Sequence, residues 1–248
     1  MIDTYVINLS SSSSRRENIA KQLGDIKANY TFFDAVNGHI SNHPLFSKYD
    51  DDLSHQYRGK SLSKGQLGCY ASHYLLWEKC IELNKPIVII EDDCLLDKIQ
   101  FSTFISNAGS LGDQFECIRL FDNKRKNYCS QKIMSLNNID IHKFNKGHMS
   151  ATGYYLTPKG AQKLVNHSQR WYMAVDIYMD RFWINEVECF GTVPACLTND
   201  PKFDSDIGYE KQRSTRKMQT RLKREWFNFT ELVRREIHNF TFSIKSKK

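Results

Sequence analysis

The segment "IVIIEDDCLL", from Ile87 to Leu96, places three consecutive carboxylates directly after four aliphatic residues. The aliphatic run after Pro86 predicts a central strand covered on both faces, because a half-exposed strand would alternate polar and apolar side chains. Glu91, Asp92 and Asp93 then lie at the carboxyl end of that strand. In an open α/β sheet, this is the edge where ligands bind.

The acidic triplet requires a positive partner, because adjacent carboxylates repel one another and each costs free energy when it leaves water alone. A hard divalent cation, or an Arg or Lys from a neighbouring loop, would supply the charge. Residues i and i+2 of a strand face the same side, so we expect Glu91 and Asp93 on one face and Asp92 on the other. The alternative interpretation is a solvated turn, since acidic residues are common in turns.

Strand and helix patterns alternate along the body of the chain, and the segment from Ile40 to Leu62 is predicted to be rich in loops. Strands are predicted at Thr4 to Leu9, Tyr30 to Ala35, Ile87 to Ile90, Cys117 to Phe121 and Gly153 to Leu156, and helices up to about Leu23, from Gly65 to Leu83 and from Pro158 to Asn166. Repeated strand-helix-strand units predict an α/β fold with a parallel sheet and right-handed crossovers. With 248 residues and 40% hydrophobic content, the chain can bury a sizeable core.

The cellular compartment is indicated by the cysteines and by the hydropathy. The seven cysteines are scattered and include no CxxC pair, which argues against a disulfide framework or a zinc knuckle. No apolar run approaches the roughly 20 residues that cross a bilayer, and no cationic segment followed by an apolar one begins the chain. We therefore expect a cytoplasmic protein.

The C-terminal tail carries the whole net charge of +7. From Lys211 to Lys248 there are twelve Lys or Arg residues against three Glu residues, so the other 210 residues have a net charge of −2. Apolar residues recur there at steps of three and four, which predicts one stripe of an amphipathic helix. The stripe consists of Met218, Leu222, Trp226, Phe229, Val233, Ile237 and Phe240.

A basic amphipathic helix with Trp and Phe is the composition of an element that lies on an anionic membrane surface. One alternative is a helix docked on the body of the protein with its charges solvated. A nucleic-acid-binding segment is the other. No nucleic acid is expected, because the basic residues share their helix with a bulky apolar stripe and no recognition motif accompanies them.

Six collinear segments carry a resemblance to a known family: "YVINLSSSSSRRENI", "FFDAVNG", "LSKGQLGCYASHYLLWEKC", "IVIIEDDCLL", "TGYYLTPKGAQKL" and "VDIYM". In this order the chain resembles glycosyltransferase family 25, the bacterial lipooligosaccharide-type galactosyl- and glucosyltransferases, which are also related to collagen galactosyltransferases. The segments occupy positions 5 to 180. One departure is Gln66 in "GQLGC", where family members usually have Glu. The C-terminal tail lies outside the resemblance.

The resemblance implies a GT-A-like fold over residues 1–209, with a nucleotide-sugar half at about 1–110 and an acceptor half at 111–209, before the basic tail at 210–248. It implies inverting transfer of a hexose from a UDP-sugar to a lipid-linked oligosaccharide of lipooligosaccharide or lipopolysaccharide. Galactose is the hexose we expect. A divalent cation, Mn²⁺ or alternatively Mg²⁺, would stabilise charge on the leaving diphosphate. Residues 211–248 would hold the enzyme peripherally on the inner face of the membrane.

The acidic residues receive the central roles. Asp93 is predicted to bind the metal, and Asp92 and Glu91 to contact ribose or donor-sugar hydroxyls. Inversion requires one base that deprotonates the acceptor hydroxyl, and Asp176 in "VDIYM" is the candidate. Asp180 is the rival, and a helix N-cap is the alternative role for Asp176.

Weaker candidates surround these residues. Donor contacts are predicted for Asn8, Arg15 (or Arg16), Asp34, Ala35 and Ser72, acceptor-side contacts for Gly153 and Tyr154, and a further metal or donor contact for the loop with Asp200, Asp204 and Asp206. His73 is either a packed helix residue or a ligand. A catalytically silent protein that binds a membrane or nucleic acid through the tail is the alternative function. A nucleotidyltransferase is disfavoured, because its glycine-rich phosphate loop is absent.

Overall fold

The computed structural model describes residues 2–40, 42–203 and 218–245, with side chains from 222 onwards in the last range. The strands are β1 (Thr4–Asn8), β2 (Tyr30–Asp34), β3 (Ile87–Glu91), β4 (Cys94–Leu96), β5 (Cys117–Arg119), β6 (Ser130–Leu136), β7 (Ile139–Phe144), β8 (Gly153–Leu156), β9 (Phe190–Val193) and β10 (Leu197–Asn199). The helices are α1 (Ser13–Asp25), α2 (Asp51–Arg58), α3 (Lys64–Leu83), α4 (Lys98–Asn107), α5 (Pro158–Asn166), α6 (Val175–Met179), α7 (Phe182–Asn185) and α8 (Met218–Lys245). Pro44–Lys48 and Ala108–Ser110 are 3₁₀-helical.

One mixed sheet contains eight strands in the order β2-β1-β3-β8-β5-β9-β7-β6. β1 is parallel to β2 and β3, whereas β8 is antiparallel to β3 and β5. The register pairs Asn8 with Asp34 and Ile7 with Glu91, so the carboxyl ends of the first three strands meet at one edge. The predicted α/β class is confirmed, and the sheet is consistent with a Rossmann-like fold. Strands from both sides of residue 110 share this sheet.

β3 is covered on both faces, as its aliphatic run predicts. Val88 and Ile90 belong to a core cluster that includes Phe101 of α4, and Ile87 and Ile89 belong to a second cluster on α3. All four strand residues are fully buried. The carboxylates that follow therefore begin where the two core layers end.

The expected loop-rich region from Ile40 to Leu62 is wrong in part, because it contains the 3₁₀ turn and α2. Asp50 caps α2 by accepting a hydrogen bond from the Leu53 amide at 2.8 Å. Gly59 ends the helix in the left-handed conformation, with φ of 72°. Local capping thus specifies a helix that is too short to show a clear apolar period.

α8 lies against α2 and α7 through one face. Phe227 is buried there, and the buried carboxylate of Glu231 forms an ion pair with Arg181. Farther along the helix, His238 Nε2 lies 2.6 Å from Glu188 Oε1. The predicted helix is confirmed over Met218–Lys245, while 204–217 and 246–248 lie outside the described residues.

The apolar stripe of α8 faces away from the body. Trp226 and Phe240 are 69% and 67% exposed. The other exposed members are Leu222, Phe229, Val233 and Ile237, and Leu232 and Ile244 are further exposed apolar residues of the helix. α8 is therefore docked, as the alternative interpretation expected, but through a different face from its apolar stripe. Across residues 2–40, 42–203 and 218–245, no helix has the length and hydropathy needed to cross a membrane.

Candidate active site

The edge formed by β1 and β3 brings Asn8 and Asp92 together. Asn8 Nδ2 donates a hydrogen bond to Asp92 Oδ2 at 2.6 Å, and an Arg15 guanidinium nitrogen lies 3.5 Å from Asp92 Oδ1. Asp92 is only 6% exposed. Burial raises the pKa of Asp92, although the hydrogen bond from Asn8 and the charge of Arg15 oppose the shift. The predicted positive partner of the acidic triplet is, for Asp92, Arg15.

Glu91 has a different partner on the opposite side of β3. His73 Nε2, on α3, lies 3.3 Å from Glu91 Oε1. Burial alone would raise the pKa of Glu91, but the interactions with His73, Thr152 and Lys124 together outweigh it, so this pKa is lowered. His73 Nδ1 lies 2.9 Å from the Tyr154 hydroxyl, which also accepts a hydrogen bond from Trp77 Nε1 at 2.9 Å. A buried chain of polar groups therefore orients Glu91.

Asp93 differs from its two neighbours, because no described residue forms a hydrogen bond with its buried Oδ1 atom. It lies in the turn between β3 and β4. Burial, and then the charge of Glu91, raises the pKa of Asp93 to about 7. An unpaired carboxylate oxygen beside a second carboxylate is the donor set that a hard divalent cation prefers, so these residues fit the metal that the resemblance implies.

Two cavities meet at these carboxylates. The first has a volume of about 200 Å³ and is lined by Arg15, Ala35, Ser72 and Asp92 among others. The second has a volume of about 280 Å³ and is lined by Asp176 among others. Cys69, Glu91 and Asp93 line both cavities. A molecule in the first cavity and a molecule in the second would therefore face each other across Glu91 and Asp93.

The wall of the first cavity depends on two glycines. A Cβ atom on Gly68 would lie 2.3 Å from the Val36 carbonyl oxygen, and one on Gly38 would lie 1.8 Å from the Lys64 carbonyl oxygen. Ser72 Oγ accepts a hydrogen bond from the Val36 amide at 2.9 Å and donates one to the Gly68 carbonyl at 2.8 Å. Ser72 thus lines the cavity, but its hydroxyl holds the loop after β2 against α3.

In the second cavity, Asp176 lies in the first turn of α6. The N-cap of α6 is Ala174, so the alternative role of Asp176 as N-cap is wrong. Asp180, the rival base, is buried and lies 3.6 Å from Arg119 and 3.2 Å from Arg125. Burial raises the pKa of Asp180. These contacts favour Asp176 over Asp180, since of the two residues only Asp176 lines the cavity.

Several predicted contacts lie outside both cavities. Asp34 is exposed at the end of β2, whereas its neighbour Ala35 lines the first cavity. Gly153 packs against Leu197, where a Cβ would approach a methyl group to 2.6 Å. Tyr154 is fully buried and supports His73. The structure therefore places Gly153 and Tyr154 in the core, where they shape the second cavity only indirectly.

Other candidates act as supports. Arg16 stacks on the Phe32 ring at 3.8 Å and donates a hydrogen bond to Asn8 Oδ1 at 3.2 Å. Asp200 is buried and accepts a hydrogen bond from Asn18 at 3.1 Å. Asp204 and Asp206 lie outside the described residues.

Gln66, the departure from the family pattern, lines the second cavity. Its side-chain oxygen accepts a hydrogen bond from the Ser63 amide at 2.9 Å, which completes a capping box at the start of α3. A glutamine can form this cap as well as a glutamate can, so the change preserves the helix start. It removes one negative charge from the cavity wall.

The second cavity is also lined by residues that were not predicted from the sequence, among them Cys69, Lys124, Thr152 and Asn199. Lys124 lies in a loop and Asn199 ends β10, and no local motif marks either of them. The spacing of Cys69 and His73, four residues apart on one face of α3, was a usable signal.

Known sequences resemble this chain over most of its length. The family description "Glycosyltransferase family 25 (LPS biosynthesis protein)" matches residues 1–179, which include both Asp93 and Asp176. The chain belongs to glycosyltransferase family 25. It is 27% identical over 231 residues to "Lipooligosaccharide biosynthesis protein lic2B" from Haemophilus influenzae, covering 85% of this chain and 81% of that protein.

Two other relatives match shorter parts of this family 25 chain. "Procollagen galactosyltransferase 1-A" from Xenopus laevis is 25% identical over 173 residues, which are 66% of this chain and 28% of that protein. "Probable inactive glycosyltransferase 25 family member 3" from Bos taurus is 31% identical over 123 residues, which are 48% of this chain and 20% of that protein. The predicted family and the predicted enzyme class, a hexosyltransferase, are confirmed.

Proposed function

We propose that this family 25 enzyme transfers a hexose from a UDP-sugar to the glycan of a lipooligosaccharide or lipopolysaccharide, with inversion at the anomeric carbon. Galactose is the proposed hexose. The observation that carries the proposal is the unpaired Asp93 oxygen at the junction of two cavities. The name of the Haemophilus relative supports the acceptor class, and the name of the Xenopus relative supports galactose.

In the proposed mechanism the donor occupies the first cavity, where Arg15 presents positive charge. Asp93, assisted by Glu91, would hold Mn²⁺ or Mg²⁺, which when bound stabilises charge on the leaving diphosphate. The hydrogen bond from Asn8 and the charge of Arg15 oppose the effect of burial on the pKa of Asp92 and hold its carboxylate beside the donor hydroxyls. The acceptor occupies the second cavity, and Asp176 takes the proton from its attacking hydroxyl. Attack from the second cavity on a donor in the first is consistent with inversion.

The test is a panel of UDP-sugars with a lipooligosaccharide acceptor, in Mn²⁺, in Mg²⁺ and in EDTA. We expect metal-dependent release of UDP, its loss in Asp93→Asn, and in Asp176→Asn a rate lower by about 10²–10⁴-fold with unchanged UDP binding. Asp113→Asn is the matched control, because Asp113 is exposed and lines neither cavity. The anomeric configuration of the product, read by NMR, tests inversion.

If no donor turns over and calorimetry detects no binding of UDP with Mn²⁺, the transferase proposal is rejected. The catalytically silent alternative then stands, since some relatives have names that mark them as inactive.

The proposal includes peripheral attachment to the inner, anionic face of the membrane through α8. The exposed apolar residues Leu222, Trp226, Phe229, Val233, Ile237, Phe240 and Ile244 repeat at an interval of 11 residues. This period, about 3.67 residues per turn, nearly equals that of the helix, so the stripe runs straight along α8 instead of winding around it. A straight apolar stripe matches a flat lipid surface, and the basic excess of residues 211–248 matches its negative charge.

Vesicle co-sedimentation tests this attachment, with Trp226→Glu/Phe240→Glu compared with wild type. We expect binding to vesicles rich in anionic lipid, weaker binding to neutral ones, and loss of binding in the double variant. Ile99→Glu is the matched control, because Ile99 is an exposed aliphatic residue on α4. Equal binding by the double variant rejects the lipid surface, and a change from dimer to monomer in that variant assigns the stripe to a second copy.

A further inference from the structure

A second donor set adjoins the carboxylates of the cavity junction. Cys69 Sγ lies 3.9 Å from Glu91 Oε1, and His73 Nε2 lies 3.3 Å from the same oxygen. All three atoms lie within 4.8 Å of one another. Cys69 and His73 stand one turn apart on α3 and point toward the end of β3. The cluster thus combines sulfur, nitrogen and oxygen donors from two rigid elements.

One of these distances matches an edge of a tetrahedral zinc site, and the other is about 0.4 Å longer than its edge. With Zn–N and Zn–O bonds of about 2.0 Å and a Zn–S bond of about 2.3 Å, the N···O edge is about 3.3 Å and the S···O edge about 3.5 Å. The observed separations are 3.3 Å and 3.9 Å. Thiolate and imidazole favour Zn²⁺ over Mn²⁺ or Mg²⁺, which prefer the all-oxygen environment at Asp93. The two donor sets therefore select different metals.

The surroundings of His73 also suit a ligand. A metal-binding histidine needs a partner for its other ring nitrogen, which fixes the ring and its tautomer. Here His73 Nδ1 lies 2.9 Å from the Tyr154 hydroxyl, and Trp77 Nε1 donates a hydrogen bond to the same hydroxyl at 2.9 Å. Because a hydroxyl can donate or accept, the same contact serves a ring protonated at either nitrogen. His73 can therefore release Nε2 to a metal without any rearrangement of the core.

We infer that Cys69 Sγ, His73 Nε2 and a carboxylate oxygen of Glu91 form a binding site for a borderline-soft divalent cation, with Zn²⁺ as the best fit. Binding replaces two protons. The thiol proton of Cys69 passes to solvent, and the proton shared between His73 Nε2 and Glu91 moves to Nδ1 of the same ring or, from a doubly protonated ring, to solvent. Three protein ligands leave the fourth position open, and Cys69 and Glu91 both border the cavities, so that position is reachable by solvent or substrate.

The site has a consequence for catalysis that rests on the proposed function. When Glu91 binds zinc, it is no longer available to help Asp93 hold Mn²⁺ or Mg²⁺ beside the donor. Zinc bound here also brings positive charge close to Asp93 and opposes binding of Mn²⁺ or Mg²⁺ there. Zinc is therefore expected to inhibit transfer even when Mn²⁺ is in excess.

The binding site itself is tested without any substrate. Co²⁺ substitutes for Zn²⁺ and gives a thiolate-to-metal charge-transfer absorption, which reports a Co–S bond directly. We expect this absorption to saturate at one equivalent in the wild-type chain and to disappear when Zn²⁺ is added. It should be lost in Cys69→Ser and Cys69→Ala and retained in Cys129→Ser, which changes the exposed cysteine.

Two further variants sharpen the test. Asp93→Asn should retain the absorption, which separates this site from the hard-cation site. Tyr154→Phe should weaken Co²⁺ binding by about 10–100-fold, because it removes the support of His73. Absence of the absorption in the wild type, or its persistence in both Cys69 variants, would overturn the inference. Failure of sugar transfer with an intact cobalt signal would instead reject only the proposed function.

Discussion

The raised pKa of Asp93 leads to a quantitative prediction about the metal-free protein. The folded-state pKa of about 7 exceeds the ordinary value of 3.8, so Asp93 favours the folded state at low pH and this contribution is lost as the pH rises through 7. From pH 5 to the pKa there are two pH units, at about 1.36 kcal/mol each. The loss is therefore about 3 kcal/mol between pH 5 and pH 8, an upper limit because Asp93 is only partly buried.

Asp93→Asn removes the titration while keeping the shape of the side chain. Chemical unfolding in EDTA should show the free energy of unfolding of the variant rising by up to about 3 kcal/mol relative to wild type from pH 5 to pH 8. Asp113→Asn, at an exposed carboxylate, should show a constant difference from wild type. If the difference for Asp93→Asn is also constant across this range, Asp93 is not a buried carboxylate without a partner, and the argument for a cation site there is refuted.

The same titration fixes the pH dependence of cation binding. Mn²⁺ must displace the Asp93 proton, so its apparent affinity should be about tenfold weaker at pH 6 than at pH 8. Calorimetry in the presence of UDP measures this ratio. In Asp93→Asn we expect the pH dependence to vanish together with tight binding; an unchanged ratio would assign the proton to another group.

Three further variants test the supports of the site. Gly68→Ala should destabilise the protein by about 1–3 kcal/mol and weaken UDP binding, because its methyl group would meet the Val36 carbonyl. Unchanged UDP affinity would contradict the role of Gly68 in the wall of the first cavity. Arg181→Ala should lower the free energy of unfolding by about 3–5 kcal/mol, because the buried Glu231 carboxylate would keep only the Arg234 guanidinium, 4.0 Å away; a loss below 1 kcal/mol would show that the pair does not anchor α8. Tyr154→Phe should lower the free energy of unfolding by about 1–3 kcal/mol, since it leaves the buried Trp77 indole nitrogen without its acceptor. An unchanged stability would show that the buried polar chain that orients Glu91 does not stabilise the fold.

The parts of the fold with strong local signals could be predicted from the sequence. The uninterrupted aliphatic run of β3 and the helical pattern of α3 are examples, because burial and helical periodicity act over neighbouring residues of the chain. The hairpin of β6 and β7 was missed. β6 is an edge strand with mostly exposed or half-exposed residues, so it lacks the alternation that identifies a strand.

From the residue pattern, the site could be predicted where acidic side chains follow the end of a strand. The carboxylates after β3 and their partner Arg15 follow from the topology of a parallel sheet. Lys124, in a loop, and Asn199, at the end of β10, reach the second cavity from positions far apart in sequence, and no local pattern encodes that meeting. Tyr154, predicted to contact the acceptor, instead lies in the core, because its hydroxyl finds two buried partners that only the tertiary structure provides.

The shared sheet limits how this enzyme can move during its catalytic cycle. β3, which ends at the first cavity, pairs through four residues with β8, which follows the Ser150–Thr152 wall of the second cavity. A rotation of one half against the other, as in hinged two-domain enzymes, would break this ladder. The two cavities therefore keep a fixed separation; if they hold donor and acceptor as proposed, the acceptor hydroxyl must span that separation without the help of a domain closure.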